Sequence, residues 1–298
     1  MKILIADDDP MSLLYLQDVL EDIGFEVIAV PDGQRAHDVL FGVDPPMLAI
    51  LDWMMPGIDG IDLCRTIRRS GSDSYTYLIV LTSRSETEFT VEAMNAGADD
   101  FISKPFHPAE LEARVRAGKR ICELEQQLRL KATYDALTGI YNRGAIIDIL
   151  DKAVARHQRH NDGLALAFAD LDHFKQVNDV YGHAAGDAVL REVARRIGQV
   201  LRPCDFLGRY GGEEMVVVLP CCETASALEI AERIRKNVCT VPVPTEFGAI
   251  PVTISMGVAV LGKGMTMAYD GLIQMADRAL YIAKNEGRNR VALGGASD

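Results

Sequence analysis

The stretch Arg209–Pro220, "RYGGEEMVVVLP", sets two glycines and two glutamates directly ahead of an unbroken apolar run. Such a run, too short for a buried helix and rich in valine, reads as a core strand. The preceding "DFLGRY" supplies a partner strand, and Gly211–Gly212 fits a two-residue hairpin turn, where positive φ is needed. Lacking side chains, the same glycines let a ligand approach the backbone closely. Glu213 then stands at the start of one strand, and Asp170 ends another, "LALAFA", which runs into Asp170-Leu171-Asp172. If these strands are neighbours, Asp170 and Glu213 can share divalent ions. A polar stretch, "HFKQVNDVYGHAAGD", leads into the helix "AVLREVARRIGQVL". Helices near "ETASALEIAERIRKNV" and "LIQMADRALYIAK", with a strand near "VTISMGVAV", complete an α+β order of directly paired strands.

Upstream the pattern changes. From residue 1 to about 120 the runs "KILIA", "FEVIAV", "MLAIL", "YLIVL" and "DFI" alternate with helix-length amphipathic segments. This predicts an α/β, doubly wound, five-stranded parallel sheet. Ligands of open α/β sheets bind beyond the carboxyl ends of the strands. Here those ends carry Asp7-Asp8-Asp9, Asp52, Thr82 and Lys104-Pro105. Clustered carboxylates call for a hard cation such as Mg²⁺. Asp52 is then placed as a nucleophile forming an aspartyl phosphate, with the hydroxyl and ammonium on the phosphoryl group. Asp9 reads better as a helix N-cap than as a ligand. Between the halves, residues 107–134 form a proline-poor helix that continues the last helix of the first domain. Leu111, Val115, Ile121, Leu124 and Leu128 give it a ragged apolar stripe, softened at Gly118, that reads as a dimerising helix in preference to the alternative, a solvated helix packed on its own domain.

The chain has 298 residues, room for about two domains. Its net charge of −12 argues against nonspecific nucleic-acid or membrane-surface binding, which need basic patches, but leaves nucleotides open. The six cysteines and six histidines show no metal-type spacing. No apolar run spans a bilayer, and "MKILIADDDP" meets acids before a signal core forms, so the expected location is cytoplasmic.

In the second half, no G-x-x-x-x-G-K-[ST] occurs, which excludes a P-loop. A two-metal site instead suits phosphoryl transfer from a nucleoside triphosphate to a hydroxyl. Lys284 and Arg288, around the Gly287 helix stop, are candidates to hold the β- and γ-phosphates.

"ILIADDDP", "LDWMMPGIDG", "LTSR" and "SKPF" resemble, in order and spacing, the receiver domains of bacterial response regulators across residues 1–120. The resemblance implies phosphorylation of Asp52 by a cognate histidine kinase. It implies Mg²⁺ (or Mn²⁺) on Asp7, Asp8, Asp52 and the Met54 carbonyl, with Thr82 and Lys104 on the phosphoryl group. Phe101 occupies the aromatic switch position, though it reads equally as a core residue.

"DALTGIYNR", "DLDHFKQVNDVYGHAAGD", "RYGGEEM" and "ADRALYIAKNEGRN" resemble the GGDEF diguanylate cyclases across residues 135–298. That resemblance implies a palm-like fold and an antiparallel homodimer in which two GTP condense to cyclic di-GMP and two pyrophosphates. By position, Asp170, the Leu171 carbonyl and Glu213 would bind Mg²⁺ or Mn²⁺. Asn178 and Asp187 would read guanine, and Phe174 and Lys175 would line the phosphate side. Gly211 and Gly212 would face the nucleotide, with Lys284 and Arg288 on the triphosphate. Glu214 would shape the turn and assist the 3′-hydroxyl or the metal. Met215 stands where the signature has Phe, and a methionine can fill an apolar pocket adaptably. Arg202 and Asp205, in "RPCD", sit at the product-inhibition position, joined by Arg233; away from that context an R-x-x-D pattern reads as a surface ion pair.

The leading expectation is a phosphorylation-controlled diguanylate cyclase with product feedback. The alternative is a catalytically weak module sensing cyclic di-GMP or GTP. A receiver-driven transcription factor would need a basic reading helix, and none appears.

Overall fold

A computed structural model describes residues 1–71, 75–83 and 87–295. Arg84 of "LTSR" and the last three residues lie outside the described residues. The chain divides into two units, Met1–Arg129 and Leu130–Asp298.

The first unit runs β1 (Lys2–Ala6), α1 (Pro10–Asp22), β2 (Glu26–Val30), α2 (Gly33–Leu40), β3 (Leu48–Asp52), α3 (Gly60–Arg69), β4 (Tyr77–Thr82), α4 (Thr87–Ala96), β5 (Asp100–Ser103) and α5 (Pro108–Thr133). The strands form one parallel sheet in the order β2-β1-β3-β4-β5. Both β3 and β4 are buried along their whole length, which is why they read as continuous apolar runs rather than alternating ones. One face packs Leu4, Leu51, Val80 and Ile61, the other Ile3, Ile50, Ile79 and Leu111.

Helix α5 is continuous for 26 residues. Leu111 and Val115 belong to the core of the first unit, whereas Ile121, Leu124 and Leu128 are exposed. Gly118 is more than a weak point in this helix. A Cβ there would stand 2.6 Å from the Tyr77 ring, so the glycine allows the helix to lie against β4.

The second unit continues with α6 (Arg143–His160), β6 (Leu164–Leu171), α7 (Phe174–Tyr181), α8 (His183–Gly198), β7 (Phe206–Gly211), β8 (Glu214–Pro220), α9 (Thr224–Cys239), β9 (Val243–Thr245), β10 (Gly248–Ile250), β11 (Ile254–Leu261), α10 (Tyr269–Asn285) and β12 (Val291–Leu293). Its main sheet has the order β12-β11-β6-β8-β7, antiparallel except for the β11–β12 pair. α7, α8 and α9 pack on one face, α6 and α10 on the other. Tyr141 lies along the outer side of β7, accepting from Arg209 N–H at 2.8 Å and donating to the Leu207 carbonyl at 3.2 Å.

Three local expectations change. The polar stretch after β6 is itself helical: α7 buries only Phe174 and Val177, so its composition looks like a loop's. The hairpin turn is Gly212–Glu213, because Gly211 pairs with Glu214 across β7 and β8. Gly212 has φ +45°, while Gly211 is a strand residue beside a bulge at Tyr210. Glu213 therefore sits in the turn, and Glu214 begins the strand.

Candidate functional site

In the first unit, the ends of β1, β3, β4 and β5 assemble one polar cluster. Asp7 is fully buried, Asp52 and Thr82 are buried, and Asp8 is exposed. Carboxylate oxygens of Asp7, Asp8 and Asp52 lie within 4.8 Å of one another, a spacing that can hold a metal ion. Lys104 Nζ stands 2.6 Å from Asp7 Oδ2 and 2.5 Å from Asp52 Oδ1. Burial raises the Asp52 carboxyl above its ordinary value and the charge of Asp7 adds to this, against Lys104 and the Met54 N–H. Burial alone would lower Lys104, but its two carboxylate partners raise it.

Backbone bonds fix this geometry. Trp53 N–H donates to the Leu81 carbonyl at 2.8 Å, and Gly60 N–H to the Trp53 carbonyl at 3.0 Å. Gly60 lies against the Asp52 carbonyl, where a Cβ would come within 2.3 Å. Lys104 N–H donates to the Thr82 carbonyl at 2.7 Å, tying β5's exit to β4. Asp9 caps α1, accepting from Met11 and Ser12 N–H groups at 3.2 Å. Met54 is exposed, and its N–H donates to Asp52 Oδ2 at 3.0 Å. Phe101 is half-buried on β5, its ring 5.8 Å from the Arg114 guanidinium.

In the second unit, antiparallel register sets Asp170 opposite Glu214 on β8 and Ser255 on β11. The Gly212–Glu213 turn lies just beyond Glu214. Lys284, on the last turn of α10, places Nζ 2.8 Å from Asp170 Oδ2. Burial raises the Asp170 carboxyl, with Glu213 and Asp172 adding to this against Lys284. Glu214 is likewise raised by burial and by Asp170. Lys284 is thus paired with Asp170, and the charges of Glu213, Glu214 and Asp172 bear on the same end of the sheet. Leu171 is buried and ends β6 opposite Ile254.

Asn178 and Asp187 come from α7 and α8, which cross at Gly186. A Cβ on Gly186 would stand 1.9 Å from Asn178 Oδ1 and 3.2 Å from Phe174 Cζ. Asp187 also lines a cavity of about 620 Å³ with Arg191 and the Pro244–Phe247 hairpin tip. Among the described residues, no hydrogen-bond or ion-pair partner is found for the Asn178 amide group or the Asp187 carboxylate. Phe174 is buried, and Lys175 beside it is exposed. Arg288 is exposed, just past α10, with φ +62°. Met215 is fully buried in the core, opposite Ala169 on β6.

The Arg202–Asp205 turn differs from a surface ion pair. Asp205 Oδ2 accepts from the Arg202 backbone N–H at 2.9 Å, and the Arg202 side chain is exposed. Arg233 Nη2 donates to the Val200 carbonyl at 2.9 Å, which brings it to the same turn.

One network carried no sequence-based role. Arg209 Nη1 contacts both oxygens of Asp135 at 3.1 and 3.2 Å, while its Nε donates to the Gly212 carbonyl at 2.8 Å. Burial acts to raise Asp135, but two hydrogen bonds from Thr138 and the Arg209 charge lower it overall. The Asp-x-x-Thr spacing was a visible turn signal; its partner 74 residues away was not.

Comparison with known proteins follows the same division. The family described as "Diguanylate cyclase, GGDEF domain" matches residues 132–290, and "Response regulator receiver domain" matches residues 3–116. Response regulator PleD of Caulobacter vibrioides is 34% identical over 301 residues, covering 97% of this chain and 65% of that protein. Diguanylate cyclase DgcP of Pseudomonas aeruginosa is 36% identical over 196 residues, covering 62% of this chain and 29% of that protein. The chain thus spans less than two thirds of the length of these curated relatives. A crystal structure of the coiled coil and GGDEF domain of DgcB from Caulobacter crescentus, in complex with c-di-GMP, is 36% identical with a TM-score of 0.57. It covers 62% of this chain and 97% of that one. Among the described residues, no helix is long and apolar enough to cross a membrane. With its GGDEF region matched over more than half its length, behind a matched receiver region, the chain belongs to the GGDEF family.

Proposed function

We propose that the protein is a receiver-controlled diguanylate cyclase that condenses two GTP into cyclic di-GMP and two pyrophosphates. The observation that carries this reading is the pairing of Asp170 with Glu214 behind the Gly212–Glu213 turn, with Lys284 on Asp170. Asp170, the Leu171 carbonyl and Glu213 would hold Mg²⁺ or Mn²⁺, which when bound supplies charge neutralisation at the phosphates. The open face of Gly211 and Gly212 admits the nucleotide backbone. Asn178 and Asp187, without protein partners, are free to pair with the guanine edge, and a carboxylate acceptor suits guanine's N–H groups. Phe174 and Lys175 flank the phosphate side, and Lys284 and Arg288 meet the β- and γ-phosphates. Glu214 shapes the turn beside Asp170 and assists the 3′-hydroxyl or the metal.

Each 3′-oxygen attacks the α-phosphorus of the partner's GTP and releases pyrophosphate. The reaction therefore needs two domains face to face, and Ile121, Leu124 and Leu128 on α5 provide an apolar seam for a homodimer. Phosphoryl transfer from a histidine kinase to Asp52, with a metal on Asp7, Asp8, Asp52 and the Met54 carbonyl, would shift that dimer. Thr82 and Lys104 would hold the phosphoryl group, and Phe101 would report it. Cyclic di-GMP bound at Arg202, Asp205 and Arg233 would feed back on the reaction.

The test is chromatography of products from GTP and Mg²⁺, with and without beryllofluoride as an aspartyl-phosphate mimic. Cyclic di-GMP rising with the mimic supports the whole reading. Equal product in both conditions removes phosphorylation as the gate. GTP binding without product favours the sensor alternative.

A further inference from the structure

Asp172 closes the acidic end of β6, yet the reaction above gives it no part. It is buried, and three donors converge on its carboxylate. Thr253 Oγ1 at 2.7 Å and the Asn289 N–H at 3.0 Å reach Oδ2, and Ser255 Oγ at 2.7 Å reaches Oδ1. Asp172's own N–H donates to the Thr253 carbonyl at 2.9 Å. The carboxylate is thus rigidly held on one side and presents a fixed anchor to a segment 117 residues away.

That segment is unusual. Gly287, Arg288 and Asn289 have φ of 115°, 62° and 46° in succession. Two of them carry side chains, which rarely adopt this region, and such a backbone persists only where its surroundings over-determine it. Four bonds do so. Arg288 N–H donates to the Ala283 carbonyl at 3.1 Å, and Met256 N–H to the Arg290 carbonyl at 2.9 Å. Arg235 Nη1 donates to Asn289 Oδ1 at 2.8 Å, and Asn289 N–H donates to Asp172. The last has a carboxylate acceptor, which makes it one of the strong kind when ionised. Among the described residues the Arg288 guanidinium has no partner, so its aim is set by its backbone.

We propose that Asp172 is a positioning residue that holds the Gly287–Asn289 turn so that Arg288 meets the β- and γ-phosphates of GTP. This rests on the reading of Arg288 given above. It makes the two acids of "DLD" different in kind: Asp170 faces the ligand, and Asp172 faces the protein that frames it.

The experiment measures binding to the full chain by calorimetry in Mg²⁺, with two probes. One is a GTP analogue carrying CH₂ in place of the α–β bridging oxygen, which cannot be condensed; the other is GMP. Arg288→Ala should weaken the analogue about tenfold and leave GMP unchanged, as expected for a lost charge-assisted contact. Asp172→Ala, which removes the acceptor that an asparagine would keep for Asn289 N–H, should do the same. The double variant should bind no more than about twofold worse than Arg288→Ala, because both act through one contact. Thr253→Val, a milder change to the same cluster, should weaken the analogue about threefold and spare GMP, and it carries the test if Asp172→Ala does not fold. Equal weakening of both probes, or an undiminished effect in the Arg288→Ala background, would overturn the proposal. An Arg288→Ala variant that binds the analogue normally would instead remove the triphosphate role of Arg288, and the proposal with it.

Discussion

Gly186→Ala separates stability from recognition at one position. The glycine lies inside α8, so alanine should favour the helix by about 1 kcal/mol. Against this, the new Cβ would meet Phe174 Cζ at 3.2 Å, a contact relieved by a shift of a few tenths of an ångström. The severe contact is with Asn178 Oδ1 at 1.9 Å, which is the end of a side chain and can swing away. Global stability should therefore stay within about 1 kcal/mol of the parent in urea titration. The displaced amide, however, can no longer meet guanine. Loss of one hydrogen bond, with a polar edge left unpaired, costs about 1–2 kcal/mol, so GTP should bind roughly tenfold more weakly. Asn178→Ala should show the same loss, and the double variant should lose little more. Unchanged GTP affinity in Gly186→Ala would refute the role of Asn178. A fall in stability of about 3 kcal/mol would instead mean that the α7–α8 contact cannot yield, in the manner of overpacked cores.

Lys284 opposes the raised carboxyl of Asp170, so Lys284→Met should push that carboxyl higher and move the acid limb of the pH–rate profile upward. A limb that stays put would separate Asp170 from the rate. Arg209→Ala should destabilise the protein by about 1 kcal/mol in urea titration, since it removes the ion pair of the partly buried Asp135, while water can take up the exposed Gly212 carbonyl. Asp135 is lowered when folded, so its share of stability is present above its ordinary value and lost as pH falls through the folded one. The gap between Arg209→Ala and the parent should accordingly narrow below about pH 4. Cys204 and Cys221 are exposed, whereas Cys64 is buried with its thiol pushed up to about 12. A thiol reagent at neutral pH should mark the first two rapidly and spare Cys64 in mass spectrometry of the folded protein. Met215→Phe should change turnover by less than about tenfold, because the position is core rather than ligand-facing; a gain of orders of magnitude would mean the natural residue impairs the site.

The first unit was legible because each strand is buried and ends in a chemically distinctive residue. "MLAIL" followed by Asp52 and "YLIVL" followed by Thr82 announce both the sheet and the edge where its acids gather. The second unit was legible where apolar runs were long, as at "LALAFA" and "MVVVL". It was opaque where elements are short or prolines intervene. β9, β10 and β12 have three residues each, and "VPVPTEFGAIP" reads as loop. The turn was displaced by one residue because two adjacent glycines look alike in sequence, and only the Gly211–Glu214 pairing tells them apart. Contacts such as Asp172 with Asn289 join residues far apart in the chain, and local spacing does not encode them.

The Tyr141 segment that covers β7 bears on where this protein can be cut. β7 is the last strand of its sheet, and its outer backbone groups at Leu207 and Arg209 are satisfied by Tyr141. A fragment beginning at Arg143 would keep every strand and helix of the second unit but bare that edge. Exposed edges template pairing with other chains. Such a fragment should precipitate as ribbons joined edge to edge, whereas one beginning at Ala132 should stay dispersed. The eleven residues from Ala132 to Asn142 act as a hem on the sheet, and dissection that trims them would register as insolubility before any loss of chemistry could be measured.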